Sequence, residues 1–95
     1  MVLRNMVRRS RLEIYFEVLE VIEKGVEKPT QVMYKTNLSW ITLQEMFGVL
    51  KNGGFIREEE RISSRRYYIT EKGRNALHYY LKSLDGLVKA ESISR

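Results

Sequence analysis

The sequence contains no cysteine, one histidine and one proline, and it has no apolar run near the roughly 18 residues that span a membrane. Each scarcity removes a class of protein. Without cysteine there is no disulfide framework, no thiolate nucleophile and no Cys-ligated zinc or iron–sulfur site. With His78 as the only histidine, His-rich metal sites and Ser-His or Cys-His nucleophilic sets are excluded too. Neither paired carboxylates nor a phosphate-cradling glycine loop is recognisable. No enzyme is expected, and no metal, cofactor or small-molecule ligand. Arg4, Arg8, Arg9 and Arg11 interrupt the N-terminal segment, which therefore lacks the apolar stretch of a signal peptide. The expectation is a soluble, cytoplasmic protein.

What is present is charge, unevenly placed. The 95 residues suit one compact domain and carry a net charge of +5. Residues 1–11 hold four arginines and no acid, residues 12–60 are net −4, and residues 61–95 are net +5. A positive excess at the two ends points toward a polyanion such as nucleic acid.

Ser10-Arg11-Leu12-Glu13 has the S-x-x-E form of a capping box and opens a helix to about Lys24. Leu12, Tyr15, Phe16, Leu19 and Ile22 recur at helical spacing, and Ile14, Val18 and Val21 widen the stripe enough to bury two sides. Gly25 can close this helix at positive φ. Pro29 opens a short second helix, with Val32, Met33 and Tyr34 on its apolar side. Asn37-Leu38-Ser39 reads as a tight turn, and Ser39 caps a third helix from Trp40 to about Asn52. In that helix Ile41, Met46, Phe47, Val49 and Leu50 are expected in the core, and Ser39, Trp40, Thr42, Gln44, Glu45 and Lys51 outside.

Asn52-Gly53-Gly54 ends the helical pattern. Phe55-Ile56-Arg57 and Arg66-Tyr67-Tyr68-Ile69-Thr70 have strand composition, so Glu58 to Arg65 forms a hairpin arm with Ser63-Ser64 near its tip. Tyr67 and Tyr68 alternate, one inward and one outward. Thr70 caps a last helix, in which Leu77, Tyr80, Leu81, Leu84, Leu87 and Val88 form a short coiled-coil seam suited to a homodimer. Gly86 weakens its final turns. His78 is read as a surface or interface side chain. The divisions expected are a basic arm at 1–9, a core at 10–70 and a dimerisation helix at 71–95.

The order of elements is helix, helix, turn, helix, hairpin, helix. That is a helix-turn-helix followed by a β-arm, a mainly helical α+β winged helix. A helix about 10–12 Å across fits the major groove, about 12 Å wide, and the arm reaches the adjoining backbone or minor groove.

Arg9-Ser10-Arg11-Leu12-Glu13-Ile14, Val32-Met33-Tyr34 through Asn37-Leu38-Ser39, and Tyr68-Ile69-Thr70-Glu71-Lys72-Gly73 resemble the corresponding segments of the Sulfolobus 10a-type proteins. The similarity spans roughly Arg8 to Leu84. The resemblance implies an archaeal winged-helix homodimer joined through antiparallel C-terminal helices. It also implies double-stranded DNA binding through two wings and two recognition helices, with a nucleoid-associated role in chromatin organisation or transcriptional regulation.

The candidate DNA contacts are Arg8, Arg9 and Arg11 on the arm, Lys28 and Lys35 on the backbone, Ser39, Trp40, Thr42 and Gln44 in the major groove, and Arg61, Arg65 and Arg66 on the wing. Trp40 is read first as a packing residue and second as a stacking one. Glu58-Glu59-Glu60 must face away from DNA or pair with the wing's own arginines. Between Ser39 and Asn52 there is no arginine, so the commonest specific contact, Arg to guanine, is unavailable there. Binding through backbone and shape is expected. The alternatives are a sequence-specific repressor and a winged helix serving as a protein–protein assembly module.

Overall fold

The computed structural model describes residues 9–93. Ser10 caps helix α1 (Arg11–Glu23): its Oγ accepts the Glu13 N–H at 3.1 Å, and the Glu13 carboxylate accepts the Ser10 N–H at 3.3 Å. The expected capping box is therefore formed. Gly25, at φ 99°, takes the left-handed conformation that lets the chain leave this helix. Helix α2 (Pro29–Thr36) starts on its proline and ends at Asn37, whose φ of 56° suits an asparagine C-cap. Ser39 caps α3 (Trp40–Asn52), so α2 and α3 are joined by three residues, of which Leu38 is buried.

Strands β1 (Ile56–Arg61) and β2 (Ser64–Ile69) pair antiparallel, with Ile56 opposite Ile69 and Arg61 opposite Ser64. The ladder is regular almost to its end. The turn is Ile62-Ser63, one residue earlier than expected, because Ser64 already pairs. A hydrogen bond from the Tyr67 N–H to the Glu27 carbonyl, 3.0 Å, ties β2 to the loop between α1 and α2.

Thr70 opens helix α4 (Glu71–Ile93) by two bonds of its hydroxyl: it donates to the Gly54 carbonyl at 2.6 Å and accepts the Gly73 N–H at 3.0 Å. Gly73 is required here, since a Cβ would lie 2.0 Å from the Phe55 carbonyl oxygen. The pattern Tyr68 to Gly73 thus locks the wing base to the last helix.

One core joins all these elements: Val18, Leu19 and Ile22 of α1, Val32 of α2, Leu43, Met46, Phe47 and Leu50 of α3, Ile56 and Tyr67 of the hairpin, and Leu77 of α4. Tyr67 stacks on Phe47 at 4.0 Å while Tyr68 turns outward, as the strand alternation predicts. The one buried polar side chain among the described residues, Thr36, donates to the Val32 carbonyl at 2.7 Å.

Two expectations about packing are corrected. Ile41 and Val49 are exposed, and Leu43, not assigned to the core, is fully buried. Leu77 does not present a surface seam, because it is fully buried within its own chain. Helix α4 continues past Gly86 to Ile93, supported just there by a 3.0 Å Lys89–Asp85 pair one turn apart.

Candidate nucleic-acid interface

Helix α3 buries Leu43, Met46, Phe47 and Leu50. At 100° per residue the opposite stripe is Ile41, Glu45, Gly48 and Asn52. On the first turn Ile41 is 75% exposed and Trp40 is 46% exposed, so Trp40 is only partly packed. Ser39 and Thr42 are engaged with each other. The Ser39 Oγ accepts the Thr42 N–H at 3.2 Å and donates to the Thr42 hydroxyl at 2.9 Å. Gln44 is half-buried.

The cations divide into paired and unpaired. Lys28 stands at the N-cap of α2 and Lys35 in its last turn, both exposed and without an ion pair among the described residues. Arg11 is exposed with its guanidinium 5.8 Å from the Tyr15 ring centre. Arg9, expected on the arm as a phosphate contact, pairs with Glu17 and donates to the Thr36 carbonyl at 3.0 Å, joining the residue before the α1 cap to α1 and α2. Arg4 and Arg8 lie outside the described residues.

On the wing every arginine meets an acid. Arg61 donates through Nε and Nη2 to one Glu59 oxygen at 3.2 and 3.1 Å, and to the Tyr68 hydroxyl at 2.9 Å. Arg65 reaches Glu58 at 3.2 Å and Glu60 at 3.5 Å. Arg66 lies 4.0 Å from Glu27 with its side chain mostly covered. Arg57 lies 3.4 Å from Glu59 and over the Tyr68 ring at 4.5 Å. Of the two roles open to Glu58-Glu59-Glu60, self-pairing is the one adopted.

These contacts set the titration of the wing. The Lys51 ammonium, donating at 2.9 Å, holds Glu58 below its ordinary 4.5, helped by the Tyr67 hydroxyl and opposed by burial. The Arg61 and Arg57 guanidiniums likewise lower Glu59. Burial, and then the bond to Glu58, pushes the Tyr67 phenol up.

Some residues of interest carry no local sequence signal. Ile62 sits fully exposed at the wing tip between the strands that hold Arg61 and Arg65. His78 has a partner, Glu23 at 2.7 Å, which Arg74 also approaches at 3.6 Å, so the two helices α1 and α4 are joined at one carboxylate. Along α4, Tyr80 stacks on Phe16 at 3.9 Å, whereas Leu81, Leu84, Leu87 and Val88 are exposed.

The sequence profile of the winged helix-turn-helix family matches residues 8–89. The chain belongs to that family. Among relatives of this winged helix-turn-helix chain is the uncharacterized protein MJ0287 of Methanocaldococcus jannaschii, 31% identical over 67 residues, which are 70% of this chain and 65% of that protein. The chain thus spans just under two thirds of that relative. Its fold is similar to that of Sso10a-2, a DNA-binding protein from Sulfolobus solfataricus, with TM-score 0.68, 24% identity, and coverage of 88% of this chain and 90% of that one. It is also similar to Streptococcus pneumoniae FabT, whose structure was solved in complex with DNA, with TM-score 0.67, 18% identity, and coverage of 94% and 68%. The Sulfolobus 10a-type resemblance is thereby met at the level of the fold. No helix among the described residues is long and apolar enough to cross a membrane.

Proposed function

We propose that the chain is a dimeric winged-helix protein that binds double-stranded DNA, chromatin-associated or acting in transcriptional regulation, and holds it mainly through backbone and shape contacts. The observation that carries this reading is the pair of exposed lysines, Lys28 and Lys35, at the two ends of α2, neither in an ion pair among the described residues. The first helix of a helix-turn-helix crosses the DNA backbone while the second lies in the major groove. Lysines at both ends of that first helix are placed for phosphates, with Arg11 as a third contact and α3 in the groove. The wing arginines add to them. Exposed ion pairs are worth only about 0–1 kcal/mol, so Arg61 and Arg65 can leave Glu59, Glu58 and Glu60 for phosphate at little cost.

The exposed ladder Leu81, Leu84, Leu87 and Val88 supplies the dimer contact. An isolated helix would leave this stripe in water, and a second α4 covers it as a short coiled coil. Sedimentation should show a dimer that L84E with L87E converts to monomer. Losing the second DNA-binding surface should weaken affinity as well.

Titration of a duplex at several salt concentrations tests the main reading. Affinity should fall steeply with salt, with a log–log slope of about −0.9 for each phosphate neutralised. Absence of binding at low salt, or binding that salt does not weaken, would sink it. The lack of cations on the outer face of α3 is the observation favouring an assembly module instead, and that reading predicts the same absence of DNA binding.

A further inference from the structure

The outward stripe of α3 is unusual for a surface that faces a polyanion. It holds one acid, one asparagine, one glycine and one bare isoleucine, with no cation. Ile41 stands in the first turn, where a recognition helix brings its side chains to the base edges. An aliphatic group there has one apolar counterpart in the major groove, the 5-methyl of thymine. The neighbouring hydroxyls of Ser39 and Thr42 are bonded to each other, so the turn offers carbon more readily than polar atoms.

Gly48, two turns further along the same stripe, is the second and independent observation. Glycine is the poorest helix former after proline, and it stands here in the middle of a 13-residue helix. Among the described residues nothing demands it: a Cβ at this position would meet no atom within 4 Å, as at Gly86 of α4, whereas at Gly73 it would collide with the Phe55 carbonyl. A glycine at this place leaves the helix backbone open to a close approach from outside. Glu45, between the two, repels phosphate and so favours base edges over backbone at the centre of this face, accepting from the amino group of cytosine or adenine. Lys28 and Lys35 on α2, exposed and without an ion pair among the described residues, argue that the occupant is nucleic acid and not an apolar protein surface.

We infer that Ile41 reads the thymine methyl group and that Gly48 admits α3 deeply enough into the groove for it to do so. The inference rests on α3 being the recognition helix, and it makes Ile41 a specificity residue that prefers thymine-bearing steps.

The test compares two duplexes identical except that deoxyuridine replaces thymidine, which removes only the methyl groups. Wild type should bind the thymine duplex about fourfold more tightly for each methyl contacted, the scale of one buried methylene. Ile41→Ala, at an exposed position that leaves the core intact, should bind both duplexes alike, measured at low salt where backbone contacts keep binding strong. Gly48→Ala should raise Tm by about 4–8 °C, as a better helix former does in a domain of this size, while weakening DNA binding at least fivefold. Equal wild-type affinity for the two duplexes, or discrimination that Ile41→Ala retains, overturns the methyl contact. A Gly48→Ala chain that is stabilised with unchanged affinity overturns the close approach. A chain that binds neither duplex at any salt fails the DNA reading itself, and this inference with it.

Discussion

The wing and the outer face of α3 are built from opposite materials. The wing is dense in charge, and its described arginines each meet a carboxylate, so that cation and acid nearly cancel until a stronger anion arrives. The outer stripe of α3 has a single charge and exposed carbon. On DNA the two regions would divide the work. Exchangeable ion pairs give salt-dependent, sequence-blind attachment, and a fitted apolar face gives a weaker but base-dependent increment.

The largest effect is expected from breaking the wing. Replacing Arg61, Arg65 and Arg66 with alanine removes three cations, takes Arg65 from Glu60 and Glu58 and Arg61 from Glu59, and leaves Glu58 with Lys51 and Glu59 with Arg57. Affinity at low salt should fall on the order of a hundredfold, and the salt slope should shrink by about 3 per protomer if each arginine neutralises one phosphate. The matching triple lysine variant should recover much of the affinity, because charge and not bidentate geometry carries the contact. An alanine triple that binds as wild type does would move the attachment to α2 and remove the proposed division.

A second, smaller effect lies where the two regions meet. Glu58 of β1 accepts from Lys51 of α3 and from Tyr67, which itself stacks on Phe47 of α3. Its folded-state pKa is lowered, so its stabilising contribution is present above the ordinary carboxylate value of 4.5 and is lost as the pH drops through the depressed value. Chemical denaturation should show Glu58→Gln less stable at pH 7 by about 1–2 kcal/mol, the scale of one charge-assisted hydrogen bond. The variant should also lose less stability than wild type on acidification below pH 4.5. Equal acid sensitivity in the two proteins would show that Glu58 does not couple the wing to α3.

Local signals were legible in the sequence, and the reason is that they act within one turn. The Ser10–Glu13 box, Pro29 at the start of α2, the Ser39 cap and the Thr70 cap each involve residues no more than three apart. The inner phase of α3 was less legible. Ile41, Leu43, Met46, Phe47, Val49 and Leu50 crowd the helix with apolar residues all round, so periodicity alone could not tell the core face from the apolar outer one. The partners of Arg9 were hidden for a different reason. Glu17 and the Thr36 carbonyl lie 8 and 27 residues away and come together only when α1 and α2 pack. Of the candidate site, the wing arginines were visible as charge, but their carboxylate partners depended on the strand register that sets Glu60 opposite Arg65.

The smallest effect is the sharpest test of α3. Ser39 caps the helix, and its hydroxyl is held by Thr42 both as acceptor and as donor. Ser39→Ala should therefore lower stability by about 1 kcal/mol, the ordinary cost of losing an N-cap. If the hydroxyl has no free valence for a base or a phosphate, DNA affinity should stay within about twofold of wild type once the variant is folded. Denaturation and DNA titration on the same preparation separate the two quantities. A tenfold loss of affinity with stability unchanged would mean that the first turn reads DNA with its hydroxyls after all. The contrast between a polar, exchanging wing and a cation-free recognition face led by Ile41 would then fail at the residue where it is most exposed to measurement.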